Sequence, residues 1–210
     1  MMAMNVKVLL FAIIAYLTGS LNPATILTYI HIKRDIREFG DGNPGATNVF
    51  LNVNRLSGVI VFVIDASKSF FILWLGKSYG FNGAQLAVIG ALIIVGHNFP
   101  VFHKFKGGTG ISSFIGGLLF MSTVLTTEVL IFVLPTIYVM YLIKIRNQLN
   151  YSSLEIGEVI GFLLILYFAY ISSDYTFKTY VFLSTAVVVV RRFSKVTYFI
   201  RKFLVRSKLT

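Results

Sequence analysis

Apolar side chains run along this sequence in long blocks separated by short polar breaks. The blocks fall at about 5–30, 56–76, 84–102, 111–126, 129–145, 155–172 and 176–192. A helix needs about 20 mainly apolar residues to cross the hydrocarbon of a bilayer, so the pattern predicts an all-α membrane protein of about seven transmembrane helices. The first block carries Gly19, Ser20, Asn22 and Pro23 in its interior. A proline there frees a backbone carbonyl and bends the helix, which lipid tolerates only where a neighbour satisfies the freed group. That helix is expected to bend toward something polar.

Composition supports this reading. Of the 210 residues 56% are hydrophobic, and the mean hydropathy is +0.80. The apolar run after Met1–Leu10 has no small-residue cleavage site and reads as a retained span. The net charge of +11 lies in the breaks between blocks, so it reads as a topology signal and a contact to anionic lipid, with no nucleic acid expected as a partner. With the N-terminus outside, fifteen Lys and Arg fall in the inner breaks and tail against three outside, which predicts N-out, C-in. Residues 1–190 form one helical membrane domain. The tail 191–210 interleaves Arg191, Arg192, Lys195, Arg201 and Lys202 with Phe193, Tyr198, Phe199 and Phe203, the pattern of a basic amphipathic cytoplasmic helix on a leaflet. There is no cysteine, and the three histidines and eight acids are scattered, so no metal site is expected.

The chemistry concentrates in two glycine-rich breaks on the same predicted cytoplasmic face. The first is Gly40-Asp41-Gly42-Asn43-Pro44-Gly45-Ala46-Thr47-Asn48, and the second is Lys106-Gly107-Gly108-Thr109-Gly110 at the start of the fourth block. Glycine turns expose successive N–H groups, and a helix start adds its positive dipole end, so either break could cradle an anion; neither matches a P-loop. Asp65 and Lys68 stand three apart in the second block and share a helix face, which predicts a structural ion pair. His97 ends the third block. Nothing near it in sequence orients it as a triad would, and it reads either as a helix-end hydrogen-bonding residue or as a candidate general base.

Taken together, Gly19-Ser20, Asp35-Ile36-Arg37, Gly42 to Asn48, Asp65 with Lys68, and Gly96-His97 through Pro100-Val101-Phe102 to Phe105-Lys106-Gly107-Gly108-Thr109-Gly110 resemble the bacterial acyl-phosphate:glycerol-3-phosphate acyltransferase (PlsY) family in order and spacing over about 15–111. The resemblance implies a multi-pass enzyme of the bacterial inner membrane. It would move a fatty acyl group from acyl phosphate to the 1-hydroxyl of glycerol 3-phosphate, giving lysophosphatidate, with membrane lipids around it and no cofactor. Substrate phosphate would be held at Gly42, Asn43, Gly45, Thr47, Asn48, Gly107, Gly108 and Gly110, with Lys106 and, secondarily, Ser20, Arg37, Thr109, Arg192 and Lys195 around it. The chain also departs from the family. Asp41 puts a negative charge where the family has a serine, Leu51 and Thr109 stand for an arginine and a lysine, and only Arg191 survives of the C-terminal motif. These departures set a second expectation beside the first: a catalytically impaired paralogue that binds lipid or phosphate ligands or regulates a membrane partner. Acyl transfer with a changed donor or acceptor lies between the two, and an inverted-repeat transporter is the least supported reading.

Overall fold

The computed structural model describes the backbone of residues 2–147 and 153–206, and side chains within 6–135 and 157–193. Among the described residues nine α-helices follow in order: α1 Met2–Ser20, α2 Pro23–Ile32, α3 Ala46–Asn52, α4 Arg55–Ser78, α5 Gly83–Asn98, α6 Ile111–Met121, α7 Thr123–Asn147, α8 Ser153–Ile171 and α9 Tyr175–Arg206. Short 3-10 turns lie at Ile36–Glu38 and Val101–His103, and no strand occurs among the described residues.

The first apolar block breaks where the sequence places its proline. α1 stops at Ser20, and α2 restarts with Pro23 at its first turn, where a missing N–H costs nothing, and with Asn22 as its cap. The cap oxygen accepts from the Thr25 amide at 2.9 Å. A second break differs from the expected boundaries. The block 111–126 ends at Met121, because Ser122 leaves helical geometry at φ −157° and α7 begins directly after it. The Ser122 hydroxyl accepts from the Leu125 amide, and its carbonyl accepts from the Thr126 hydroxyl, so local polar bonds replace helix continuation. The expected span 176–192 also runs further, since α9 continues to Arg206 through the predicted tail.

Helix α5 is the centre of the bundle. On one side it packs with α1 and α4 through Phe11, Leu73, Ile89 and Ile93. On the other, Ile94 joins Phe114, Val129, Ile165, Phe177 and Tyr180 from α6 to α9. Large apolar side chains such as Leu9 and Leu10 on α1, Val63 on α4 and Leu163 on α8 point outward, as a lipid-facing surface requires. Among the described residues, Val6–Ile32, Arg55–Ser78 and Gly83–His103 are each long and apolar enough to cross a membrane, while Ile111–Met121, Thr123–Pro135 and Gly157–Ile171 are shorter apolar helices.

The α1–α5 crossing depends on two reciprocal glycines. A Cβ on Gly19 would run into the Ile93 carbonyl, and one on Gly96 into the Tyr16 carbonyl and the Ser20 amide. Backbone cannot step aside as a side-chain tip can, so Gly96→Ala should cost about 1–3 kcal/mol, read as earlier thermal unfolding of the detergent-solubilised protein.

Candidate active site

The break between α1 and α2 exposes carbonyls inside the bundle, and one side chain answers them. Lys68 Nζ donates to the Gly19 carbonyl at 3.0 Å and to the Leu21 carbonyl at 3.1 Å. The same ammonium lies 2.6 Å from Asp65 Oδ1 and 3.2 Å from His97 Nδ1, and Asp65 Oδ1 is 3.3 Å from that ring nitrogen. The expected Asp65–Lys68 pair is therefore part of a larger knot. All three side chains are buried, at 1%, 7% and 4% exposure for Asp65, Lys68 and His97. His97 thus gains from another helix the orienting carboxylate that its own sequence neighbourhood lacks. Its Nε2 edge faces Gly108, where any Cβ would collide with the ring.

The 40–48 loop is shaped from within. Gly40 and Gly42 take positive φ, 54° and 69°, which glycine adopts without strain. Buried Asn48 is a structural clasp: its amide donates to the carbonyls of Ile36, Phe39 and Asn43. Asp41 turns its Oδ1 back onto the Asn43 amide at 3.0 Å, while the Gly42 amide goes to the Phe39 carbonyl and the Gly45 amide to the Asn43 carbonyl. Those three N–H groups are spent inside the turn, and the donors left to an anion include those of the first turn of α3, whose cap Gly45 carries no side chain. Asn22 Nδ2 fastens the loop to the helix break through the Pro44 carbonyl at 3.0 Å.

The second glycine turn corrects an expectation. The Gly107 and Gly108 amides donate to the Asn98 and His97 carbonyls at 3.2 and 3.1 Å, ending α5, and are thereby unavailable to an anion. Donors begin further on, at the first turn of α6 behind Gly110, which is its cap at φ 83°. Arg191 from α9 holds the turn in place, donating to the Gly107 and Gly108 carbonyls with its guanidinium over the Phe99 ring.

One cavity of about 730 Å³ joins these parts. Its polar end is lined by Gly40, Asp41, Asn43, Gly45, Thr47, Asn48, Asp65, His97, Thr109, Gly110, Ser112, Glu158 and Arg192; its apolar end lies between α6, α7 and α8, with Leu118, Val129, Val133, Phe162 and Ile165. Leu51 also lines it. The structure sets several sequence-predicted residues apart from this wall. Gly42, Lys106, Gly107 and Gly108 do not line it; Ser20 gives its hydroxyl to the Tyr16 carbonyl; Arg37 pairs with Asp35 and reaches the Lys106 carbonyl. Lys195 lies outside the residues whose side chains are described. Arg192 does line the cavity, in an ion pair with Glu158 of α8. Sequence reasoning passed over Glu158, although an acid inside an apolar block was its signal.

Residues 9–202 match the family model described as glycerol-3-phosphate acyltransferase. The chain belongs to that family. Among family relatives, it is 38% identical over 121 residues to a glycerol-3-phosphate acyltransferase of Cupriavidus necator, a match covering 56% of this chain and 60% of the relative. A Burkholderia multivorans glycerol-3-phosphate acyltransferase is 37% identical over 119 residues, covering 57% of this chain and 56% of the relative. The chain thus spans somewhat over half the length of the curated relatives it matches. Similarity to a solved family structure extends further: the crystal structure of PlsY (YgiH), an integral membrane glycerol 3-phosphate acyltransferase, in its glycerol 3-phosphate form aligns with a TM-score of 0.72 at 25% identity over 93% of both chains. Its lysophosphatidic acid form aligns at 0.70.

Asp35 precedes the first glycine turn. Burial opposes its charge, yet hydrogen bonds from the Arg37 side chain and amide outweigh it and hold the carboxyl below its ordinary 3.8. The unfolded chain then binds more protons than the folded one, so acidification through that range destabilises the fold. The contribution of Asp35 should be lost as pH falls below 3.8. Melting temperature against pH should show this step vanish in Asp35→Asn.

Proposed function

We propose that this chain transfers a fatty acyl group from acyl phosphate to the 1-hydroxyl of glycerol 3-phosphate, releasing phosphate and lysophosphatidate. The observation that carries this is the two-part cavity: a polar end built from both glycine turns and His97 opens directly into an apolar end between three helices. An acyl phosphate has the same two parts. Family membership and the likeness to a protein solved in glycerol 3-phosphate and lysophosphatidic acid forms support the same chemistry.

In this reading the acyl chain lies among Leu118, Val129, Val133 and Phe162, and the phosphates face the first turns of α3 and α6 and Arg192. The acceptor oxygen forms a bond to the acyl carbon, the bond from that carbon to the phosphate oxygen breaks, and the electron pair leaves with the phosphate. The hydroxyl proton passes to His97 Nε2 or to the leaving phosphate itself. Holding both reactants in one dry cavity supplies most of the acceleration.

The surrounding topology is proposed with it. α1 and α2 count as one broken span and α4 to α9 as six more. The N-terminus faces out, and the glycine turns and basic 191–210 tail face the cytoplasm at a bacterial inner membrane. The charge tally supports this orientation, and the arrival of Arg191 at the second glycine turn supports placing the tail beside the site.

One observation favours the impaired-paralogue reading. Asp41, Asp65 and Glu158 line the cavity against a single cation, Arg192, among the described lining residues. A dianionic substrate meets opposing charge there. Purified protein given acyl phosphate and glycerol 3-phosphate decides between the two readings. Lysophosphatidate should form, and Gly108→Leu, which drives a side chain into His97 and the Pro44 carbonyl, should reduce it by about 100-fold or more. Ligand binding with no product would establish the paralogue reading instead.

Acyl length gives an independent check. Gly161 lines the apolar end, and its Cβ would already stand 3.2 Å from Val133 Cγ2. Gly161→Phe should lower the rate with long-chain acyl phosphate about tenfold or more relative to a short-chain donor. An equal loss with both donors would place the chain elsewhere.

A further inference from the structure

We infer that the turn Val101–Lys106 is a membrane-docking finger: its phenylalanines enter the bilayer beside the end of α5, and its lysines bind the phosphate headgroup of an anionic phospholipid. The cavity makes no use of this stretch, since none of its residues lines the wall. Val101, Phe102 and Phe105 are 42%, 58% and 57% exposed. Lys104 and Lys106 stand among them and are exposed too.

The backbone is built to hold those side chains out. Lys104 and Phe105 take left-handed conformations at φ 53° and 59°, a region that a Cβ disfavours and that is an outlier for a bulky aromatic. Two such residues in succession reverse the chain. The His103 and Phe105 amides both return to the Pro100 carbonyl, at 3.1 and 2.9 Å, and the Lys106 amide donates to the His103 carbonyl at 3.1 Å. The base of the finger is fastened on each side. The Tyr16 hydroxyl donates to the Phe99 carbonyl at 2.8 Å, Arg37 donates to the Lys106 carbonyl at 3.3 Å, and Arg191 holds the Gly107 carbonyl. Strained backbone persists only where its surroundings fix it, and here the fixed base presents an outward-facing aromatic tip.

Position and charge identify the occupant. The 3-10 turn packs on α1, which exposes Leu17 and Leu21 at that end, and it completes the apolar span Gly83–His103. Phe102 thus extends the lipid-facing band to the edge of the bilayer, where an aromatic ring reaches acyl chains and a lysine beside it reaches phosphate. Asp35, the acid near His103, is already paired with Arg37, and among the described residues neither Lys104 nor Lys106 is in an ion pair with an acid. The two lysines therefore carry surplus positive charge. An anionic headgroup neutralises it, whereas a zwitterionic one brings its own ammonium and offsets the attraction.

Fluorescence of the full chain in nanodiscs tests this. Trp74→Phe removes the native indole, and Phe102→Trp puts a reporter at the tip, read against lipids brominated on their acyl chains near the headgroup. The indole should be quenched, and a brominated anionic phospholipid present as a minor component should quench about fivefold or more as effectively as a zwitterionic one at the same fraction. Lys104→Gln with Lys106→Gln should bring the two lipids level while the indole stays quenched. No quenching by either lipid would overturn the finger and leave the turn to a soluble partner. Equal quenching with both lysines present, or a preference that survives their removal, would overturn the headgroup site. Phe105→Trp supplies a second reporter should the first variant fail to fold. None of these readouts depends on acyl transfer, so the finger and the proposed function stand or fall separately.

Discussion

A carbonyl freed inside a bilayer has no water to turn to, and the cost of leaving it alone falls on whatever packs against it. Here the break between α1 and α2 passes that demand to Lys68, which reaches across from α4 to cap Gly19 and Leu21. A buried lysine needs a counter-charge, which Asp65 supplies one helical turn away, and the same carboxylate reaches His97 on α5. Three helices are thus fastened at one polar point. The glycine turns hang from it: Asn22 at the break holds the Pro44 carbonyl, and the His97 carbonyl takes the Gly108 amide.

This arrangement explains why glycine recurs where the helices meet. Gly19 and Gly96 bring α1 and α5 close enough for Lys68 to touch both the break and the ring, and Gly108 lets the second turn lie flat on His97. Side chains at these positions would move the backbone that sets the site. The Glu158–Arg192 pair closes the opposite wall from α8 and α9, so the cavity is enclosed by elements far apart in sequence.

Much of this was legible in the sequence, because its rules are local. Apolar blocks mark helices, Pro23 inside the first block marks a bend, and Asp65 with Lys68 three residues on marks a pair. The all-helical fold and the family follow from such patterns. What escaped was long-range or competitive. Ser122 ends α6 inside an apolar block because its own polar bonds win over continuation, a contest periodicity does not see. The turning of the Gly107 and Gly108 amides onto the end of α5 depended on how the chain folds back, so they read as anion donors until the carbonyls were seen. His97 lacked a sequence neighbour to orient it, since its partners sit 29 and 32 positions earlier in the chain.

The proposed transfer requires both reactants to meet in one cavity, with the acceptor hydroxyl at His97 and the acyl chain between α6, α7 and α8. A structure of the protein with a non-transferable acyl phosphonate and glycerol 3-phosphate would show whether they do. The acyl chain should lie beside Val133 and Phe162, the phosphonate near Arg192, and the glycerol hydroxyl within hydrogen-bond reach of His97 Nε2. A chain lying on the outer, lipid-facing surface, or a glycerol 3-phosphate held away from His97, would contradict it.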